Sequence, residues 1–449
     1  MIINNARIVT WGQSNEIITG KSLLITDGRI QQIADHDVLS NRFPGEEVID
    51  AGNMLLMPGN ICAHTHFYGA FARGMAIPGE PAADFVQILQ KLWWKLDKAL
   101  DEEAVRYSAL VCLLDAIRYG TTTLIDHHAS PNCIDGSLDI IAGAVEEAGL
   151  RASLCYEVTD RDGWKRASAG IDENARFLQK LRVNGFGNDL LRGHFGLHAS
   201  LTLSDQTLQR CVEACPGEIG FHTHVAEGLA DELDSIEKYG VRVIERLARF
   251  GVLKANSILA HGIHLDDREI GLLIGSGAWL THQPRSNMNN AVGVAPIEKM
   301  LDMGVRVGLG NDGFSNAMWE EWKSAYLVHK DHAGDPRRMN GYQVLQMAVL
   351  NNSQLVSELY NGLCVGEIKP GAAADLIFVD YKEFTPLTPG NLPWHILFGF
   401  RDGMVVSTMV NGKFLMKDRK FLTLDEQEIS LKAKEIALKV WKKVEGQGS

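Results

Sequence analysis

The sequence has no run of about 18 apolar residues, so it offers no transmembrane helix. It has no basic segment followed by an apolar stretch after Met1-Ile2-Ile3-Asn4-Asn5, so a secretory leader is not expected. Basic residues are in deficit. Lysine and arginine number 44 against 56 aspartates and glutamates, a formal charge of −12. That balance argues against a nucleic acid or an anionic membrane as partner, because phosphate rewards excess cationic side chains. The seven cysteines (Cys62, Cys112, Cys133, Cys155, Cys211, Cys215 and Cys364) form no Cys-x-x-Cys pair. A reducing, cytoplasmic compartment fits that scatter. Internal repeats, low-complexity tracts and long flexible linkers are also missing, as is a glycine-rich fingerprint after a first strand.

What is present is ordinary globular composition, 45% hydrophobic and 22% charged, in 449 residues. That length predicts one large domain with a smaller one. The first fifty-odd residues read as short strands, with Asp27-Gly28 as a hairpin turn. A comparable β pattern returns at Ala374–Val379 and Met404–Val410, followed by Asn411-Gly412 and Phe414–Met416. The two ends are therefore expected to pair in one small β domain. Between them, candidate strands run over Leu55–His66, Thr121–Asp126, Arg151–Val158, Leu191–His198, Ile219–His224, Ser257–His261, Trp279–Thr281 and Val305–Gly310. Helical periodicity marks Glu102–Arg118, Asp205–Ala214, Leu229–Phe250 and Asp266–Ile274, and a closing helix Leu424–Glu445. Eight strands with helical crossovers predict an α/β fold, a distorted (β/α)8 TIM barrel with a small β-sandwich built from both termini. The boundaries expected are 1–57 and 364–449 for the sandwich and 58–363 for the barrel.

Polar residues recur at the strand ends, and there the chemistry concentrates. Eleven of fifteen histidines lie between positions 64 and 282. His64 and His66, at i and i+2 on the first barrel strand, project to one face. Taken alone, such a pair could be two hydrogen-bonded core histidines. His222 and His224 repeat the spacing on the fifth strand, His261 ends the sixth, and Asp312 follows Gly310-Asn311 after the eighth. Three imidazoles and one carboxylate suit a divalent metal. His64, His66, His224 and Asp312 are the expected ligands, with His222 as support. Glu227, three residues past His224, is placed for proton transfer, and a solvated loop carboxylate is its bland alternative. His261 is expected to polarise water at the metal. As an alternative role, Asp312 would cap the following helix.

The fourth strand carries no lysine and presents His198, so the carboxylated-lysine bridge of binuclear sites is missing and one metal is expected, zinc or else iron. Glu157, at the third strand's end, is an alternative carboxylate. Substrate contacts are expected from His198, from His128 at the mouth of the second strand, and from Arg285 and Asn287 after the seventh. Arg285 has a salt bridge to a neighbouring loop as its equal alternative. Trp93 and Trp94, within Phe67–Leu100, read as core more than as a lid or oligomer contact.

The set His-Thr-His, His-Thr-His-Val-Ala-Glu, Ala-His-Gly and Gly-Asn-Asp resembles the amidohydrolase superfamily, in its mononuclear chlorohydrolase and aminohydrolase branch, over essentially the whole chain. His64–Tyr68, Leu92–Asp97, Ile125–Pro131 and Arg285–Asn290 are similar to the SsnA-type aminohydrolases, a group associated by name with selenium metabolism. The resemblance implies metal binding by His64, His66, His224 and Asp312, an activated water deprotonated toward Asp312 and oriented by His261, and protonation of a ring nitrogen by Glu227. The expected activity is hydrolysis of a C–N bond in an amino-substituted N-heterocycle or related amidine, a small-molecule substrate, by a homodimer. Two alternatives stand beside it: a cyclic amidase of the hydantoinase kind, and a non-catalytic metal-binding protein of selenium-enzyme maturation.

Overall fold

A computed structural model describes residues 1–12, 14–77, 79–183 and 189–447. Eight parallel strands form the barrel: β1 (Asn60–Thr65), β2 (Thr121–Asp126), β3 (Arg151–Leu154), β4 (Leu191–Gly193, continuing as Phe195–Ala199), β5 (Phe221–Val225), β6 (Ile258–His261), β7 (Trp279–His282) and β8 (Arg306–Leu309). Their pairing runs in two arcs that share β4. The first half of β4 pairs with β3 and the second half with β5, which is the distortion in the barrel. Gly196 permits it, because a Cβ there would strike the Tyr156 carbonyl. The ring closes where Asn311 N–H donates to the His64 carbonyl at 2.9 Å.

The termini form two further sheets. One has four strands, in the order Arg29–Ala34, Ser22–Thr26, Ile2–Asn4 and Val48–Asp50. The other has seven, four from the C-terminal end and three from the N-terminal end, and the two groups meet where Leu376–Val379 pairs antiparallel to Leu55–Pro58 on one side and to Val405–Val410 on the other. Ile3, Ile8, Leu23, Leu56, Phe378 and Met409 fill the space between them. The turns at Asp27-Gly28 and Asn411-Gly412 both adopt left-handed φ at each position, the mirror turn that suits a twisted hairpin.

Some boundaries differ from the sequence pattern. Leu55–His66 is two strands, one in the sandwich and one in the barrel, separated at Gly59. A side chain at Gly59 would collide with Thr122, so the chain passes from sandwich to barrel at a residue that must lack one. Gly59→Ala is expected to cost about 1–3 kcal/mol through overpacking, read as a lower unfolding midpoint with metal content unchanged. Leu229–Phe250 is two helices, Leu229–Tyr239 and Val243–Arg249, because Gly240 closes the first in a left-handed cap at φ 70°. The closing helix runs Glu426–Gly446, capped by the Asp425 side chain on the Glu428 N–H, and buries Ile429, Ile436 and Val440. Among the described residues no helix is long and apolar enough to cross a membrane.

Candidate metal-dependent active site

The C-terminal ends of the strands bring four predicted residues to one point. Ligand atoms of His64, His66, His224 and Asp312 lie within 4.8 Å of one another. His64 Nε2 and His66 Nε2 are each 3.0 Å from Asp312 Oδ1. His66 Nδ1 meets the His127 carbonyl at 2.5 Å, and His224 Nδ1 meets the His198 carbonyl at 2.8 Å. Carbonyl oxygens only accept, so both rings carry their proton on Nδ1. Their bare Nε2 atoms then face each other at 3.1 Å. Two lone pairs at that separation repel unless positive charge lies between them. Burial holds His64 down at about 3. The donor set fits a divalent cation.

Backbone strain marks Asp312 and two neighbours at the strand ends. Ala226, His261 and Asp312 adopt left-handed φ of 47°, 76° and 57°. Residues with a Cβ are held there only when their surroundings over-determine them. The Asp312 N–H, bonded to the His64 carbonyl at 3.1 Å, helps to do so.

A second triangle adjoins the first. Glu227, His261 and Asp312 also converge within 4.8 Å. His261 Nε2 is 3.4 Å from Glu227 Oε2 and 4.0 Å from Asp312 Oδ2, and it is buried without a hydrogen bond. The Ser286 hydroxyl donates to Asp312 Oδ2 at 2.5 Å, and Asn290 Nδ2 donates to Glu227 Oε1 at 3.2 Å. Burial, partly offset by His261, raises the Glu227 carboxyl to about 7. A group so poised both gives and takes a proton near neutrality.

Both triangles open into a cleft of about 650 Å³, mouth included, walled by Tyr68, Phe85, Leu89, Trp93, Trp94, Glu157 and His198 among others. Trp93 and Trp94 are half-buried and line the cleft, and Trp93 also packs against the core. His198 lines the cleft wall. His128 is fully buried and bonded to the Ser130 hydroxyl at 2.9 Å, away from the cleft wall. Asn287 sits behind His261, accepting from its Nδ1 at 2.9 Å. Arg285 is committed elsewhere: Glu321 lies 2.5 Å away, Glu320 2.6 Å, and the Ser315 carbonyl 2.7 Å. His222 lies 2.8 Å from His64 Nδ1 and orients that ring. Ser286 and Asn290 escaped the sequence reading. Their spacing of four along one short helical segment was the available signal.

A model of the amidohydrolase family matches residues 55–415, most of the chain. The chain belongs to the amidohydrolase family. This amidohydrolase is 32% identical over 424 residues to 5'-deoxyadenosine deaminase of Methanosarcina mazei, covering 93% of each chain. It is 32% identical over 407 residues to 5-methylthioadenosine/S-adenosylhomocysteine deaminase of Moorella thermoacetica, covering 89% of this chain and 90% of that one. The fold matches an adenosine deaminase from Xanthomonas campestris with bound zinc at a TM-score of 0.85, with 22% identity over 98% of both chains. It also matches atrazine chlorohydrolase from Arthrobacter aurescens, complexed with zinc, at 0.80 and 20%, covering 97% and 99%. These solved structures establish the amidohydrolase barrel with its terminal β-sandwich.

Proposed function

We propose that this amidohydrolase is a metal-dependent aminohydrolase that releases ammonia from an amino-substituted N-heterocycle. The observation that carries the reading is the pair of bare Nε2 atoms beside Asp312, with the titratable Glu227 next to them. His64, His66, His224 and Asp312 would hold one divalent ion, zinc by analogy with the zinc-bound deaminase of the same fold. Bound there, the ion supplies Lewis acidity that brings the pKa of a water toward neutrality. Asp312 offers Oδ2 as proton acceptor, kept in line by Ser286. His261, fixed by Asn287, turns Nε2 toward the same point and steadies the developing charge. Glu227 delivers a proton to the ring nitrogen beside the attacked carbon, where negative charge accumulates. The water oxygen joins that carbon, the proton taken up by Asp312 passes to the amino nitrogen, and the C–N bond breaks to release ammonia. Deaminase relatives at 32% identity support this over the cyclic-amidase alternative, as does the absence of a lysine on β4.

The test is ammonia release by metallated protein over 5'-deoxyadenosine, 5-methylthioadenosine, S-adenosylhomocysteine, purines, pterins, pyrimidines and triazines. Turnover of at least one is expected, falling at least about 100-fold on chelation and returning with zinc. The unfolding midpoint should fall with the metal, since an ion that binds only the folded chain stabilises it. No turnover by fully metallated protein across that panel overturns the reading.

A further inference from the structure

Strand alternation makes a demand that Glu227 does not meet. On β5, His222 and His224 face the barrel interior, where they meet His64 and His66. An unbroken strand would then turn residue 226 inward and residue 227 outward. Yet Glu227 lines the cleft beside His224. The alternation breaks at Ala226, which holds a left-handed φ of 47° although its Cβ disfavours that conformation.

A side chain of the next helix holds Ala226 there. Asp231, in the first turn of Leu229–Tyr239, is 3% exposed, and its Oδ2 accepts the Ala226 N–H at 2.9 Å. Its Oδ1 accepts the Leu201 N–H at 2.8 Å, so one carboxylate joins the turns that follow β4 and β5. The two turns depend on it unequally. The β4 turn has a second anchor, because Arg246 Nη1 donates to the Ser200 carbonyl at 2.9 Å and Nη2 to the Leu203 carbonyl at 2.7 Å. At Ala226 the carbonyl accepts from the Ile263 and His264 N–H groups at 3.1 and 3.2 Å, whereas the N–H is bonded to Asp231. Asn290 steadies the tip of the Glu227 side chain, but the direction in which that side chain leaves the backbone is set at Ala226.

We propose that Asp231 is a positioning residue for the proton-transfer step: it locks Ala226 in the left-handed conformation and so turns Glu227 off the outer face of β5 and into the cleft. Both of its oxygens bind backbone N–H groups, so its effect reaches the substrate through Glu227. This rests on the aminohydrolase reading, in which Glu227 carries the proton.

The test is a cycle of variants in full-length, metal-loaded protein. Ammonia release is measured from 5'-deoxyadenosine, or from whichever compound of the panel above wild type turns over fastest. Asp231→Ala should lower kcat about 10- to 100-fold, the scale of an ångström-sized misplacement, with KM within about threefold and metal content unchanged. In the Glu227→Gln background the same substitution should change kcat by less than about twofold, because the group it positions has already lost its proton. A residue that merely stabilised the fold would lower both backgrounds alike. Adding Ala226→Gly to Asp231→Ala should raise kcat again by at least about threefold, since glycine takes a left-handed φ without the Cβ penalty. Should the alanine protein not fold, Asp231→Asn, of equal size and with one acceptor lost, runs the same cycle with a fall of at least about threefold. Equal losses in the wild-type and Glu227→Gln backgrounds, an unchanged kcat, or metal loss matching that of His224→Ala overturns the proposal. No turnover of any panel compound by wild type ends the aminohydrolase reading and this inference together. Turnover with additive losses ends this inference alone.

Discussion

In a Glu227→Gln variant, bound metal is expected to equal that of the wild type while kcat falls by roughly 10²- to 10⁴-fold, the range of a lost general acid. The amide has the size of the carboxyl and keeps an oxygen for Asn290, whose Nδ2 donates to Oε1 at 3.2 Å. What it loses is the proton. Burial places the Glu227 carboxyl at about 7, so wild type carries a transferable proton near neutral pH, and glutamine cannot. Glu227 also stands outside the set formed by His64, His66, His224 and Asp312. His224→Ala is the contrasting variant, because it deletes one of the two facing Nε2 atoms and should lower metal content directly. Elemental analysis beside ammonia release separates the two. Equal metal loss in both variants would make Glu227 part of the metal's hold and end its assignment as proton carrier.

The strand-end chemistry was legible in sequence because β geometry is strict. Residues at i and i+2 share a face, so the His-x-His spacing put His64 and His66 on the barrel interior before any fold was drawn. Barrel topology then brings strand ends to one mouth, which placed Glu227, His261 and Asp312 in the same neighbourhood. Less visible was whatever depends on which partner reaches a side chain first. Arg285 follows β7 like a substrate contact, yet Glu320 and Glu321 of the helix Met318–Ala333 take its guanidinium. No local pattern around residue 285 announces acids more than thirty positions away. His128 and Asn287 differ for a similar reason, each engaged through one atom by a nearby hydrogen bond that the alternation of strand and loop does not encode, while His128 Nδ1 and Asn287 Nδ2 have no partner. The break at Gly59 was hidden because Leu55–Pro58 and Asn60–Thr65 are both extended and buried, with nothing in hydrophobicity to mark the passage between sheets.

The junction of barrel and sandwich carries the second large expected effect. Arg151, at the start of β3, is fully buried, and its Nε is 2.5 Å from Asp375 Oδ2 at the edge of the sandwich. The same guanidinium bonds the Asp189 carbonyl and the Asn411 side chain, and Asp375 Oδ1 accepts the Asn411 N–H at 2.8 Å. Asp375→Ala leaves a buried guanidinium without the carboxylate it hydrogen-bonds, so a loss of about 3–5 kcal/mol is expected. Arg151→Met/Asp375→Leu should recover much of it, since an apolar pair of similar volume removes both desolvation costs together. Denaturant midpoints for the two variants decide the matter, and a loss below about 1 kcal/mol for Asp375→Ala would show that the pair is not what binds the two domains. Metal content gives the second reading. His64, His66, His224 and Asp312 arise from β1, β5 and the segment after β8, none of them from β3. Folded Asp375→Ala protein should therefore keep its metal.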